Sequence, residues 1–198
     1  AVLCAKDVIK TPFTVVNADD YYGRSAYQTM GKYLSGLENT DTTHAMVGFT
    51  LENTMSPSGS VTRAICKTKD GLLVSMEENY KILWKDGKVI SEKESGDVVL
   101  TGKEPVSMNF FGFTPKAFDS FISYWEEFKR DNITEPKKEC LLPSGVSKMV
   151  EDKEGSIKVL TSDDKWFGMT YPEDKPMVMS ALRAKIESGY YPQKLWEK

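Results

Sequence analysis

The chain has 198 residues, 40% hydrophobic and 28% charged, with a formal net charge of −3; this is enough apolar side chain for one well-buried core. No basic stripe dominates any region, which argues against nucleic acid as a partner, and no apolar run reaches the roughly 18–20 residues of a membrane span. Cys4, Cys66 and Cys140 are far apart and odd in number, so the expectation is reduced thiols in a cytoplasmic protein, with neither a zinc site nor a disulfide framework.

Residues 1–9 read as a short helix, apolar at Val2, Leu3, Ala5, Val8 and Ile9, and stopped at Thr11-Pro12. The chain opens on Ala1 with that helix under way and without a charged leader, so more protein is expected upstream. Phe13-Thr14-Val15-Val16 shows no alternation, the pattern of a strand covered on both faces in a parallel sheet. It runs into Asn17-Ala18-Asp19-Asp20, and a helix follows over 25–37 with Ala26, Met30, Tyr33, Leu34 and Leu37 on one face. A strand is predicted over 45–51. His44 stands at its head, the only histidine, and one imidazole without partners reads as structural.

A polar turn with Pro57 and Gly59 leads into a hairpin, 61–68 and 72–76, around Lys69-Asp70-Gly71. Residues 85–104 are charged and contain glycine, so they read as exposed hairpins or loops. A buried strand over 108–113 precedes Thr114 as N-cap and Pro115 in the first turn of a helix. Phe118, Phe121, Ile122, Trp125 and Phe128 give that helix an apolar face. A helix over 144–151, strands over 157–160 and 166–170, and a helix over 176–188 ended by Gly189 complete the chain. This order predicts an α/β fold: a three-layer α/β/α sandwich with a mixed, Rossmann-like central sheet and an antiparallel insert, in a single domain of residues 1–198.

Asp19-Asp20 is the strongest candidate site. Two carboxylates leave a buried strand at its carboxyl end, where ligands of α/β sheets collect. Buried charge needs a pair or a cation, and magnesium takes one or two carboxylates plus substrate phosphates. Such an ion shields phosphate oxygens during phosphoryl or nucleotidyl transfer. Neighbouring strand residues point to opposite faces, so one of the two holds the ion; parity does not choose which. The bland alternative is an acidic helix entry in which Asp20 stabilises turn amides. Arg63 suits a phosphate, Glu78 sugar hydroxyls, and Lys81 phosphate charge. Asn109 is an amide inside an apolar strand and needs partners, of which a ligand is one.

In their order, these segments resemble the nucleotidyltransferase family that includes glucose-1-phosphate thymidylyltransferases, and more closely a bacterial branch of it. The likeness is carried by residues 1–7, 13–23, 45–53, 59–66, 106–113, Leu142-Pro143, 166–176 and 191–196. It implies an enzyme that moves a nucleoside monophosphate from a nucleoside triphosphate to a sugar 1-phosphate and releases pyrophosphate, with Mg2+ as cofactor. Ala18-Asp19 stands where the family has its Gly-Asp, which gives Asp19 the catalytic metal role and Asp20 the neighbouring polar place. Glu78 matches the glutamate of the family's Glu-Lys-Pro, while Asn79 and Tyr80 depart from it. Asn109 falls where the sugar-facing strand passes the ligand, and Arg63 or Lys81 balances phosphate charge.

The aspartate of the family's Trp-x-Asp aligns with Gly168, so the second metal ligand is assigned to Asp174, with Asp163 and Asp164 as alternatives. The family's Gly-rich phosphate loop has no counterpart in these residues. It is expected upstream of Ala1, and the chain by itself is expected to be inactive. A metal-dependent glycosyltransferase and a non-catalytic sugar-nucleotide-binding domain are the rival readings. A homo-oligomer is compatible with all three.

Overall fold

A computed structural model describes residues 1–56, 59–135, 137–168 and 174–194. Its strands are β1 (Phe13–Val15), β2 (Asp20–Tyr21), β3 (Thr43–Thr50), β4 (Val61–Lys69), β5 (Leu72–Lys85), β6 (Lys88–Ser91), β7 (Val98–Leu100), β8 (Pro105–Phe113), β9 (Ser156–Ser162) and β10 (Phe167–Gly168). Its α-helices are α1 (Arg24–Leu34), α2 (Ala117–Asn132), α3 (Leu142–Glu151) and α4 (Lys175–Glu187). No helix among the described residues is long and apolar enough to cross a membrane.

The apolar run His44–Phe49 is buried along its whole length in β3, and the two-residue period of a strand divides it between two cores. Ala45, Val47 and Phe49 pack with Ala26, Met30 and Leu34 of α1. Met46 faces the other way, into Ala117 and Phe121 of α2 and Val146 and Met149 of α3. Helices thus cover both faces of the sheet around β3. Burial of this size, at about 25 cal/mol per Å² of apolar surface, is the main drive for the layers to form.

The main sheet runs β1-β8-β3-β9-β5-β6-β7, with β4 against β5 and β8. β3 and β9 are parallel, and the other pairs are antiparallel. The mixed α/β character therefore agrees with the sequence. The Rossmann-like sandwich describes only the part around β3, because β4 carries the sheet back onto β8. The pairs β8·β3, β3·β9, β9·β5, β5·β4 and β4·β8 close a five-stranded ring, which an open three-layer sheet lacks. The β9·β5 seam is one pair, Leu72↔Lys158.

Other expectations are corrected by local chemistry. β1 is an antiparallel edge strand on β8, not a parallel central one; Phe13 stacks on Phe118 at 5.2 Å while Thr14 is exposed, so only one face is covered. Residues 1–9 form only a 3-10 turn over Val2–Ala5. Thr114 is no N-cap: its hydroxyl donates to the Asp41 carbonyl at 2.7 Å, and α2 begins at Ala117. Residues 85–104 do form hairpin strands, β6 and β7, but Val89, Ile90 and Ser91 are buried rather than exposed, and β5 runs on to Lys85. Asp70-Gly71 and Asp86-Gly87 each supply two successive positive φ values, 52° and 76°, then 51° and 72°, the requirement of a tight two-residue hairpin turn. Pro57, the Met169-Thr170 end of the predicted strand, and Leu195 and Trp196 lie outside the described residues.

Candidate functional site

Asn17, Asp19, Asp20, Thr62, Arg63, Glu78, Tyr80, Ser107, Asn109, Pro143, Ser144 and Trp166 line one cleft of about 620 Å³. Five of the sequence-predicted residues meet there: Asp19, Asp20, Arg63, Glu78 and Asn109. Lys81 does not. Arg63 pairs with Asn79 and Val61 with Ile82, so one extra residue bulges out of β5, and Lys81 is exposed outside the lining. A second depression, about 700 Å³, follows the outer surface of α2 from Ser123 to Ile133; it draws on a single stretch of chain and gathers none of the predicted residues.

The acidic loop is held by Tyr22, which the sequence reading passed over. The Tyr22 ring is 1% exposed and stacks on Phe110 at 4.9 Å. Its hydroxyl accepts from the Asn17 N–H at 3.1 Å and lies 2.8 Å from the Met108 carbonyl and 3.1 Å from an Asp20 carboxylate oxygen. One hydroxyl hydrogen serves one acceptor at a time, and the carbonyl is the nearer. Asp20 also accepts from the Asn17 side-chain amide at 3.0 Å. Burial raises the Asp20 pKa, with hydrogen bonds from Asn17 and Tyr22 opposing it and Asp19 adding to it. Asp19 is exposed and, among the described residues, its carboxylate has no hydrogen bond or ion pair.

Asn109 reaches the cleft through a bulge in β8. Met46 pairs with Phe111 and Gly48 with Ser107, so β8 spends two more residues than β3 over the same stretch. Asn109 takes φ 59° there, a left-handed conformation that asparagine tolerates better than most side chains. Strain of this kind gathers at functional sites. Among the described residues no protein partner of its carboxamide is found.

Arg63 is anchored rather than free. Its Nε–H donates to the Thr54 hydroxyl at 3.0 Å, one terminal nitrogen to the Thr62 carbonyl at 2.7 Å, and the other to the Thr54 carbonyl. Burial lowers its pKa to about 10, against the pull of Asp20 and Glu78, so it is a cation at neutral pH. The guanidinium lies 5.0 Å from the centre of the Trp166 ring, a cation–π contact.

Trp166 closes the far wall. The β2·β10 ribbon pairs Gly168 with Asp20 and Phe167 with Tyr21, which brings Trp166 beside the acidic loop. A Cβ on Gly168 would stand 2.5 Å from the Trp166 ring, so an aspartate at this position would have to displace the indole. The buried Nε1–H of Trp166 has no hydrogen-bond partner. Trp166 weakly favours the charged form of the Asp20 carboxylate, the smallest of the influences on it. Trp166 had entered the sequence argument only at the head of a predicted strand and within a resembling segment.

The alternatives for a second metal ligand have other places. Asp164 accepts from the Ser25 N–H at 2.8 Å and the Ser25 hydroxyl at 2.6 Å, and from the Tyr190 hydroxyl at 3.3 Å. It therefore caps α1 from the connection between β9 and β10, and Gly23 leaves room for it: a Cβ there would lie 2.2 Å from the carboxylate carbon. Asp174 stands just before α4 and outside the cleft lining. Among the described residues no group of three or more His, Cys, Asp or Glu side chains could hold a metal ion. The donor chemistry at Asp19 still fits magnesium, which needs only one or two protein carboxylates when substrate oxygens and water complete its shell.

No protein-family model matches the sequence, and no curated protein matches it. Among solved structures the fold is similar to that of a Bacillus anthracis protein named as a glucose-1-phosphate thymidylyltransferase, crystallised in complex with sucrose, at a TM-score of 0.51 and 10% identity. The match covers 92% of this chain and 59% of that one. At that identity the likeness is one of fold.

Proposed function

We propose that the cleft is the acceptor-side site of a sugar-1-phosphate nucleotidyltransferase. The observation that carries the reading is convergence: Asp19, Asp20, Arg63, Glu78 and Asn109, spread over about ninety residues of sequence, line one cleft. The fold likeness supports it. The part of the sheet around β3, with helices on both faces, is read as the Rossmann-like nucleotide layer.

Asp19 would hold magnesium, which supplies charge neutralisation at the phosphate oxygens. Asp20 shapes the acidic loop through Asn17 and Tyr22. Glu78 and Asn109 orient the sugar. An oxygen of the sugar phosphate attacks the α-phosphorus of the nucleoside triphosphate, and the bond to pyrophosphate breaks. The chain's contribution is positioning and charge, with no covalent intermediate. Lys81 and Asp174, both outside the lining, are left as contributors only if the chain rearranges around substrate.

Triphosphate charge is the weak point. Among the described residues the only basic one lining the cleft is Arg63, and three of its nitrogens already donate to Thr54 and Thr62. Further cationic groups are needed to fix the α-phosphorus in line. A panel of nucleoside triphosphates and sugar 1-phosphates, with magnesium, tests the reading on residues 1–198 and on the product of the complete reading frame. Pyrophosphate is expected from the latter and only background from the former. Silence of both, with folded protein, would remove the transferase reading. The Gly168 position, which has no room for a second carboxylate, favours a non-catalytic sugar-nucleotide-binding domain as the second reading; sugar-nucleotide binding without turnover would select it.

A further inference from the structure

We infer that the ring of Tyr80 is a stacking platform for the C–H face of a sugar ring, with the carboxylate of Glu78 taking the hydroxyl groups at the sugar's edge. The inference rests on the reading of the cleft as a sugar-nucleotide site and names the residue on which the sugar lies.

β5 presents the two side chains together. Arg63 pairs with Asn79 and Ala64 with Glu78, and cross-strand partners share a face. Side chains alternate along a strand, so Glu78 and Tyr80 stand on one face and Asn79 on the other. Asn79 is buried there, donating to the Glu77 carbonyl at 2.8 Å and accepting from the Ser91 hydroxyl at 3.0 Å. Glu78 and Tyr80 line the cleft with Thr62 and Ala64 of β4, and Asn79 lies outside the lining. The bulge follows at once: β5 takes three residues from Asn79 to Ile82 where β4 takes two from Arg63 to Val61. The Thr62 hydroxyl donates to the Tyr80 carbonyl at 3.0 Å, which ties down the backbone at that point. Bulges beside binding sites re-aim side chains in this way.

The main chain is fixed while the ring is open. Tyr80 is 73% exposed, and among the described residues neither its ring nor its hydroxyl has a ring contact or a hydrogen bond. Leu141, 50% exposed, brings a second apolar side chain to the same lining from the start of α3. One exposed apolar residue needs no explanation. Two in a cleft that also holds the carboxylates of Asp19 and Glu78 describe a ligand with an apolar face and a polar edge. An ionised carboxylate only accepts, so that edge must donate. A sugar ring meets both conditions, with C–H groups on its faces and hydroxyl groups around its edge. A phosphate oxygen is repelled by Glu78 and belongs with the metal at Asp19. A nucleobase also stacks, but its ring nitrogens and carbonyl oxygens are acceptors that the carboxylates disfavour.

The test is affinity by NMR titration of the labelled chain, as wild type, Tyr80→Ala and Tyr80→Phe. The probes are a panel of hexose 1-phosphates, the matching free hexoses, and nucleosides. Tyr80 is exposed, so both variants should unfold at the wild-type midpoint. Tyr80→Ala should weaken the best hexose probe about fivefold, the worth of roughly 40 Å² of apolar ring face taken out of water. Tyr80→Phe keeps the ring and should bind as the wild type does. Saturation of the protein's aromatic protons should pass to the C–H protons of the bound sugar, and should fall in Tyr80→Ala. Four results overturn the inference: no hexose probe binds the wild type, Tyr80→Ala binds hexoses unchanged, Tyr80→Phe loses as much as Tyr80→Ala, or Tyr80→Ala weakens nucleosides and spares hexoses. None of these readouts needs turnover. Ring-dependent sugar binding with no pyrophosphate release keeps the platform and removes the transferase reading, while pyrophosphate release with sugar binding indifferent to Tyr80→Ala does the reverse.

Discussion

The Tyr22 hydroxyl donates to the main-chain carbonyl of Met108 across 2.8 Å. This bond joins the acidic loop to the bulge that presents Asn109, so the two predicted halves of the site share one buried side chain. Tyr22→Phe keeps the stacked ring but leaves the Met108 carbonyl and the Asn17 N–H short of a partner. The expected loss is about 1–3 kcal/mol, read from urea unfolding, together with a shift of the Asn109 amide resonance. An unchanged midpoint with an unmoved Asn109 would show that the hydroxyl does not couple the loop to the bulge.

His44 makes stability depend on pH. Its Nδ1 accepts from the Thr114 N–H at 3.3 Å, and burial lowers its pKa to about 4, partly offset by Asp41. The unfolded imidazole titrates near 6.5. Between these values the unfolded chain binds the extra proton, so this contribution is complete above about pH 6.5 and is lost as pH falls towards 4. The loss is roughly 2–4 kcal/mol. Other carboxylates titrate in the same range, so the relevant quantity is the difference between wild type and His44→Gln, in urea unfolding at pH 7 and pH 4.5. Equal losses in the two proteins would contradict the assignment.

Asp164 accepts from both the N–H and the hydroxyl of Ser25 at the start of α1. Asp164→Ala removes the acceptor for both donors of Ser25 and should cost about 1–2 kcal/mol of stability. Magnesium affinity, measured by calorimetry with a sugar nucleotide present, should stay at the wild-type value. A variant of normal stability that no longer binds the ion would reverse the two roles.

Gly168 is a packing position. Gly168→Ala puts a methyl group 2.5 Å from the Trp166 ring, so the indole must move. Overpacking of this kind costs about 1–3 kcal/mol, and the Trp166 indole peak should shift without ligand. Gly168→Asp should displace the ring further and add no magnesium site. Tighter magnesium binding in that variant would mean that the wall is softer than its contacts indicate.

Much of this was legible in the sequence, for identifiable reasons. The strand predicted over 45–51 is β3, Thr43–Thr50, buried from His44 to Phe49. Lys69-Asp70-Gly71 marks a hairpin, and Asp86-Gly87 carries the same signal in a stretch left as hairpins or loops. The gathering of Asp19, Asp20, Arg63, Glu78 and Asn109 in one cleft is what the family resemblance implies. What stayed hidden depends on contacts between distant residues. Asp164 reads as an alternative metal ligand until Ser25 is seen beside it. Thr114 has every mark of an N-cap, but the Asp41 carbonyl takes its hydroxyl. The return of β4 onto β8 rests on Ala64↔Ser107 and Ile65↔Val106, pairs that no periodicity announces. The bulge at Asn109 takes two more residues of β8 than of β3 and still leaves Val106, Met108 and Phe110 in one core, so no break in the two-residue alternation announces it.

The most direct measurement is pyrophosphate release by wild type and Asp19→Asn, in the product of the complete reading frame, with magnesium and the best substrate pair. The exchange keeps the shape of the side chain and removes the charge. Asp19 is exposed and its carboxylate has no partner among the described residues, so the unfolding midpoint should not move. Charge stabilisation by a bound ion is worth several kcal/mol, so the rate should fall by about a hundredfold or more. Magnesium-dependent release near the wild-type rate in the folded variant would contradict the account, and would move the metal away from Asp19.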